Sequence, residues 1–150
     1  MPIWGDILGY IKTLIDAIKA QTDKLAGATP VVGTTAAMNL YAGATATSGE
    51  VGADLVTIGA NDTKNKVLSL LIDTTSITAG ALITVRMYMQ INGTDRKVYH
   101  QTFVMGTDTV GLWIIQAAVG IHKALRVEMQ SSAAGDTSRT IGYDYQLEVM

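Results

Sequence analysis

A chain of 150 residues has room for one domain with a full core, because a chain of this size buries roughly two-thirds of its unfolded surface. Its formal charge of -2, with basic residues scattered along the chain, leaves no electrostatic footprint for nucleic acid, and the absence of cysteine excludes disulfides and thiolate metal sites. Only 16% of the residues are charged while Gly, Ala and Thr abound, a surface suited to lying against copies of itself.

The first element predicted is a helix from Trp4 to Leu25. Trp4, Ile7, Ile11, Leu14, Ile18 and Leu25 recur at alternating steps of three and four, with Gln21 in the one remaining place, which is a heptad seam. Leu8 and Ile15 lie beside the seam, one heptad apart, and widen the apolar stripe enough for the helix to meet two or more neighbours. Pro2 suits the first turn, while Asp6 near the start and Lys19 and Lys24 near the end agree with the helix dipole. Gly27 supplies the stop, and Ala28-Thr29-Pro30 resists further helix. Lys12 and Asp16 form an i,i+4 pair worth a few tenths of a kcal/mol, and Gly9 costs about 1 kcal/mol relative to Ala while admitting close approach of a neighbour. Burying six seam residues at ~1.5 to 3 kcal/mol each contributes roughly 10 kcal/mol before ordering costs, so packing decides whether this helix exists. Asp6, Lys12 and Asp16 interrupt the apolar residues and no basic segment precedes them. A secretory signal and a membrane span are therefore not expected, the mature chain is expected to begin where the sequence does, and a polar face poor in Lys and Arg predicts no membrane partner.

Residues 28–52 read as a linker and edge strand, and residues 53–150 as a β-sandwich. Asp54 to Ile58 opens the strand series, and Asn61-Asp62-Thr63 is a turn cluster. Lys66 to Asp73 is nearly continuous apolar sequence, predicting a central strand buried on both sides. Ile83, Val85, Met87, Met89 and Ile91 alternate with Thr84, Arg86, Tyr88 and Gln90, a half-buried strand with a polar outer face. Asn92-Gly93 then predicts a hairpin, since both central residues of a type I′ turn need positive φ, and Lys97 to Val104 returns as its partner. Leu112 to Ala118, Ala124 to Gln130 and Thr140 to Met150 complete the set. In the last of these, Ile141, Tyr143, Tyr145, Leu147 and Val149 share one face. Seven or eight strands with regular turns and no second helix predict a mainly β protein, an antiparallel β-sandwich carrying an N-terminal amphipathic α-helix, with jelly-roll connectivity among the topologies admitted.

The residues that could carry chemistry have structural readings. His100 and His122 lack a second His or a carboxylate at metal-ligand spacing, and the aspartates sit mostly in turns, where they cap backbone N–H groups. The Ser residues lack the strained elbow and neighbouring base of a nucleophile, and no Gly-rich loop precedes a helix. No catalytic residue, cofactor or metal site is therefore predicted, and the chain is not expected to be an enzyme. Leu112-Trp113-Ile114-Ile115 reads as a core strand, and Met87 and Met89 as interior filling.

The segment Ile15-Asp16-Ala17-Ile18-Lys19-Ala20-Gln21-Thr22-Asp23-Lys24-Leu25-Ala26-Gly27 resembles a helix phrase of small virion structural proteins of tailed bacteriophages, in which a short helical leader precedes a β-rich module. Ala53 to Ala60, followed by Lys66 to Ile72, is similar to such modules, so that the resemblance covers about half of the chain. It implies a decoration, tail or fibre component located in the virion and made in the host cytoplasm, with copies of itself and other virion proteins as partners. The self-association residues expected are Trp4, Ile7, Leu8, Ile11, Leu14, Ile15, Ile18, Gln21 and Leu25, and Ile at both core positions of the seam favours a trimer over a dimer. The alternative expectation is a carbohydrate- or surface-binding sandwich that uses exposed aromatics such as Tyr88 or Tyr99.

Overall fold

The computed structural model describes residues 3–25, 27–41 and 52–150. The heptad-patterned segment forms one helix, α1 (Ile3–Leu25), ending ahead of Gly27. The segments of period two form two antiparallel sheets. One sheet runs in the order β1 (Ala28–Thr34), β9 (Gly142–Val149), β3 (Asn65–Asp73) and β6 (Gly111–Ile115), with β7 (Val119–Ile121) also paired to β3. The other runs β2 (Ala53–Ile58), β8 (Leu125–Ser131), β4 (Leu82–Ile91) and β5 (Thr94–Val104). The edge strand expected between residues 28 and 52 occupies the start of that range, where β1 pairs along its whole length with β9.

The topology follows from a single doubling of the chain. β6 faces Leu70–Asp73 and β7 faces Asn65–Val67 on the same side of β3, so together they form one strand position interrupted at residues 116–118. The pairs are then nested: β4 with β5, β3 with β6 and β7, β2 with β8, and β1 with β9. A long hairpin rolled up in this way is a jelly roll. Its tip is Asn92-Gly93, flanked by the facing pair Ile91 and Thr94, with φ of 52° and 74° at the two turn residues, the backbone that a type I′ turn demands.

The core lies between the sheets. Val67, Leu70 and Ile72 of one sheet and Ile83, Val85, Val127 and Met129 of the other are at most 1% exposed and belong to one apolar cluster. Met87 joins them, as the alternation along β4 predicts.

Three expectations change. β3 is central, but Leu71 on its outer face is exposed rather than buried. Trp113 is not a core residue. It stands opposite Leu71 in register and shares the outer face, 56% exposed, while Leu112 and Ile114 turn inward. Arg86, expected on a solvated outer face, is only 6% exposed. Its Nη1 donates to Glu128 Oε1 at 2.8 Å across the β4–β8 pairing, and the backbone at Gly52 presses so closely on Glu128 that a Cβ there would lie 2.6 Å from Oε1.

The loop between β8 and β9 is held by one buried carboxylate. Asp136, fully buried, accepts from Ser131 Oγ at 2.5 Å, Thr78 Oγ1 at 2.7 Å, Thr78 N at 3.2 Å and Arg139 Nε at 2.9 Å, and its carbonyl accepts from Leu40 N at 2.9 Å. One residue thus ties together the β3–β4 connection and the β8–β9 loop through its side chain and the segment after β1 through its carbonyl. Burial by itself would raise the Asp136 carboxyl, but the hydrogen bonds from Ser131, Thr78 and Arg139 together outweigh it and hold the group below its ordinary value.

Because the folded pKa lies below the unfolded one, this group's pH-linked stabilisation is present above the ordinary carboxylate range and is lost as pH falls through the folded value. Asp136→Ala is expected to lower the unfolding free energy by about 3 kcal/mol at neutral pH, since it strands several buried donors. In urea melts, the stability gap between the wild type and Asp136→Asn should narrow below about pH 4, and a gap that stays constant into acid would count against this linkage. At the hairpin tip, a Cβ added at Gly93 would meet nothing within 4 Å, so the whole cost of Gly93→Ala is backbone strain. Equilibrium unfolding should show a loss of about 1 kcal/mol, and a neutral result would refute the strain argument.

Candidate self-association surface

Along α1, every described side chain from Asp6 to Lys19 is exposed. Ile7, Leu8, Ile11, Leu14, Ile15 and Ile18 are between 42% and 65% exposed, so the apolar stripe of the seam faces outward. In heptad terms Ile7 and Leu14 take one core position and Ile11 and Ile18 the other, with Leu8 and Ile15 on one flank. Tyr10 stands on the opposite flank and is 67% exposed. Tyr10 is not one of the expected self-association residues, and its place one residue before Ile11 is the sequence signal for it. The side chains of Trp4, Gln21 and Leu25 lie outside the described residues.

The polar side of the helix is ordinary. Lys12 Nζ and Asp16 Oδ2 form the expected i,i+4 pair at 2.6 Å with both side chains well exposed, an arrangement worth only a few tenths of a kcal/mol. Gly9 lies on the side away from the seam, where a Cβ would meet nothing within 4 Å, so it admits no close approach along the stripe. Among the described residues, no helix is long and apolar enough to cross a membrane. What this surface can do is bury apolar area, and the sandwich core is already complete without it.

The residues that could carry chemistry are dispersed. His100 and His122 are both exposed, and no group of three or more His, Cys, Asp or Glu that could hold a metal occurs among the described residues. Asp62, at φ +62°, pairs with Lys123, whose hydrogen bond and charge draw its carboxyl below the usual range. Asp73 and Asp108 accept from the backbone N–H of Thr75 and Val104 at 2.9 and 2.6 Å, the turn-capping role expected of them. The aromatic residues differ more from expectation. Tyr88 is half-buried with the Arg126 guanidinium 4.3 Å from its ring centroid, so one face is already occupied. Tyr99 is half-buried too, donates to Gln101 Oε1 at 2.5 Å, and has its hydroxyl pKa raised by burial. The exposed aromatic on the sandwich is Trp113, in a row across the outer face formed by Val32, Asp144, Leu71 and Trp113. A run of four apolar residues had hidden its outward position in the sequence.

No protein-family model matches this chain, and no curated protein matches it. Among solved structures, it is similar to a chain in a structure of the Gx strain of infectious bursal disease virus, at 18% identity and a TM-score of 0.35. It is likewise similar to a chain in the crystal structure of the VP2 subviral particle of infectious bursal disease virus, at 19% identity and a TM-score of 0.33. Each comparison covers 81% of this chain and 32% of the other, so the protein spans about a third of the length of the structures it matches. The assignment of the sandwich accordingly rests on its own strand pairings.

Proposed function

We propose that this protein is a non-enzymatic structural subunit that assembles with copies of itself through α1. The observation that carries the reading is the exposed stripe from Ile7 to Ile18, joined to a sandwich whose own apolar faces already cover each other. A helix of this kind gains most of its stability from packing, so an outward stripe of six large aliphatic residues calls for a partner, and heptad spacing fits another copy of the same helix. Ile occurs at both core positions, Ile11 and Ile18 at one and Ile7 at the other, which favours more than two helices, and we infer a trimer. About three heptads make a short bundle, so contacts between sandwiches add to it.

The place of assembly is the virion, as a decoration, tail or fibre component alongside other virion proteins. The support is the resemblance of the helical leader and the β-rich module to small structural proteins of tailed phages, together with the low-charge surface. The alternative glycan-binding reading through Tyr88 and Tyr99 gains nothing from the fold, because neither ring stands free in solvent.

In light scattering, the full chain should have the mass of a multiple of the 15.9 kDa protomer. Ile11→Asp combined with Ile18→Asp should leave the β-sheet circular dichroism intact and reduce the mass to one protomer, and an unchanged oligomer would overturn the proposal. Gln21→Ile, which removes the one polar residue of the seam, should broaden the distribution of oligomeric states in native mass spectra, whereas a single sharp species would show that Gln21 does not fix the register.

A further inference from the structure

At the open side of the roll, between edge strands β5 and β6, lies a cleft of about 480 Å³. Its walls include Phe103, Thr107, Asp108, Thr109, Trp113 and Gln116. The volume is within the range of roughly 300–1,000 Å³ that small-molecule sites occupy.

The backbone sets the polar groups of this cleft. After β5 the chain turns at Gly106, with φ of 88°. Asp108 N then donates to Val104 O at 2.9 Å while Val104 N donates back to Asp108 Oδ2 at 2.6 Å, which fixes the carboxylate beside the indole. Gln116 Nε2 donates to Trp113 O at 3.1 Å, and this orients an amide that also carries a carbonyl oxygen and a second N–H. Thr109 Oγ1 donates to Gly111 O at 3.1 Å. The result is a broad aromatic plate, more than half exposed, in a cleft with a carboxylate, an amide and the Thr109 hydroxyl held in place by the main chain, and with the Thr107 side chain in the same lining.

We infer that this cleft binds a neutral saccharide. A pyranose presents an apolar C–H face that packs on an indole and an equatorial rim of hydroxyls that both donate and accept. A carboxylate takes two hydroxyl donors in strong charge-assisted hydrogen bonds, and an amide offers one donor and one acceptor to a neighbouring pair. The lining contains Asp108 and no Lys or Arg, so it repels phosphate, sulfate and sialate rather than attracting them. That sign argues against nucleotides, which would also stack on the ring. The neighbouring groove over Gly111, Gly142, Leu71 and Val32 also has Asp73 and Asp144 in its lining, and its one aromatic residue, Tyr143, is partly buried against the core rather than exposed as Trp113 is.

The inference stands apart from the assembly proposal, since its readout is glycan retention rather than mass. The full chain is applied to an array of immobilised glucose-, galactose-, mannose- and N-acetylglucosamine-terminated glycans, with sulfated and sialylated glycans beside them. The best neutral glycan is then titrated in solution by calorimetry. Retention of at least one neutral glycan is expected, weakened about tenfold or more by Trp113→Ala and several-fold by Asp108→Asn, and unchanged by Tyr88→Phe. Thermal melts of the variants separate lost binding from lost folding, and Trp113→Phe, which keeps an aromatic plate, should restore part of the affinity. No retention of any neutral glycan, retention confined to the acidic ones, or binding that survives Trp113→Ala would each overturn the proposal. So would a blank array accompanied by a Trp113→Ala change in oligomeric mass, which would assign the indole to a contact between copies.

Discussion

Two apolar sheet faces that cover each other are what the rest of this molecule depends on. Ile83, Val85, Val127 and Met129 on one side and Val67, Leu70 and Ile72 on the other exclude water almost completely, and the surrounding loops pack down on that layer through Leu40, Ile77 and Met105. Hydrophobic burial of this kind is the dominant favourable contribution to folding. Among the described residues the two sheets cover their own apolar faces, whereas α1 is exposed along Ile7 to Ile18. The division between a closed module and an outward helix is therefore an energetic one before it is a functional one.

The polar part of the structure follows the same economy. Where a carboxylate or guanidinium is buried it is answered: Arg86 by Glu128 and Gln130, Asp136 by Ser131, Thr78 and Arg139. Buried charge is tolerated only with such partners, because desolvation would otherwise outweigh any gain. Asp136 lies where three connections meet, so its hydrogen bonds define the shape of one end of the roll, while Asn92-Gly93 defines the other extreme of the nested hairpin. Between these two points the strand order has little freedom left.

Function in such a molecule is a matter of surfaces. The helix offers apolar area and heptad spacing, which suit association among identical chains. The outer face of the β1–β9–β3–β6 sheet carries Trp113 beside polar groups, which suits recognition of a small hydroxylated ligand. An assembly built through α1 would present many copies of that cleft, and multivalent presentation raises apparent affinity without any new contact. The two proposals are independent and mutually compatible.

How much of this was legible beforehand depended on the range of the interactions. The helix from its seam, the Asn92-Gly93 hairpin from its dipeptide, the inward face of β4 from its alternation and the turn-capping aspartates from their residue type were all readable, because each rests on contacts within a few residues. The burial of Arg86, the exposure of Leu71 and Trp113 and the cover over Tyr88 were not. Each was decided by which strand lies alongside and by whether another layer covers that face. Sequence by itself determined a helical leader, a set of β-strands and the tip of the hairpin. Only the tertiary structure decided the nesting of the strands, the side of each apolar run that meets water and the cleft at Trp113, because strand pairing and layer cover join residues far apart in the chain and local periodicity carries no record of them.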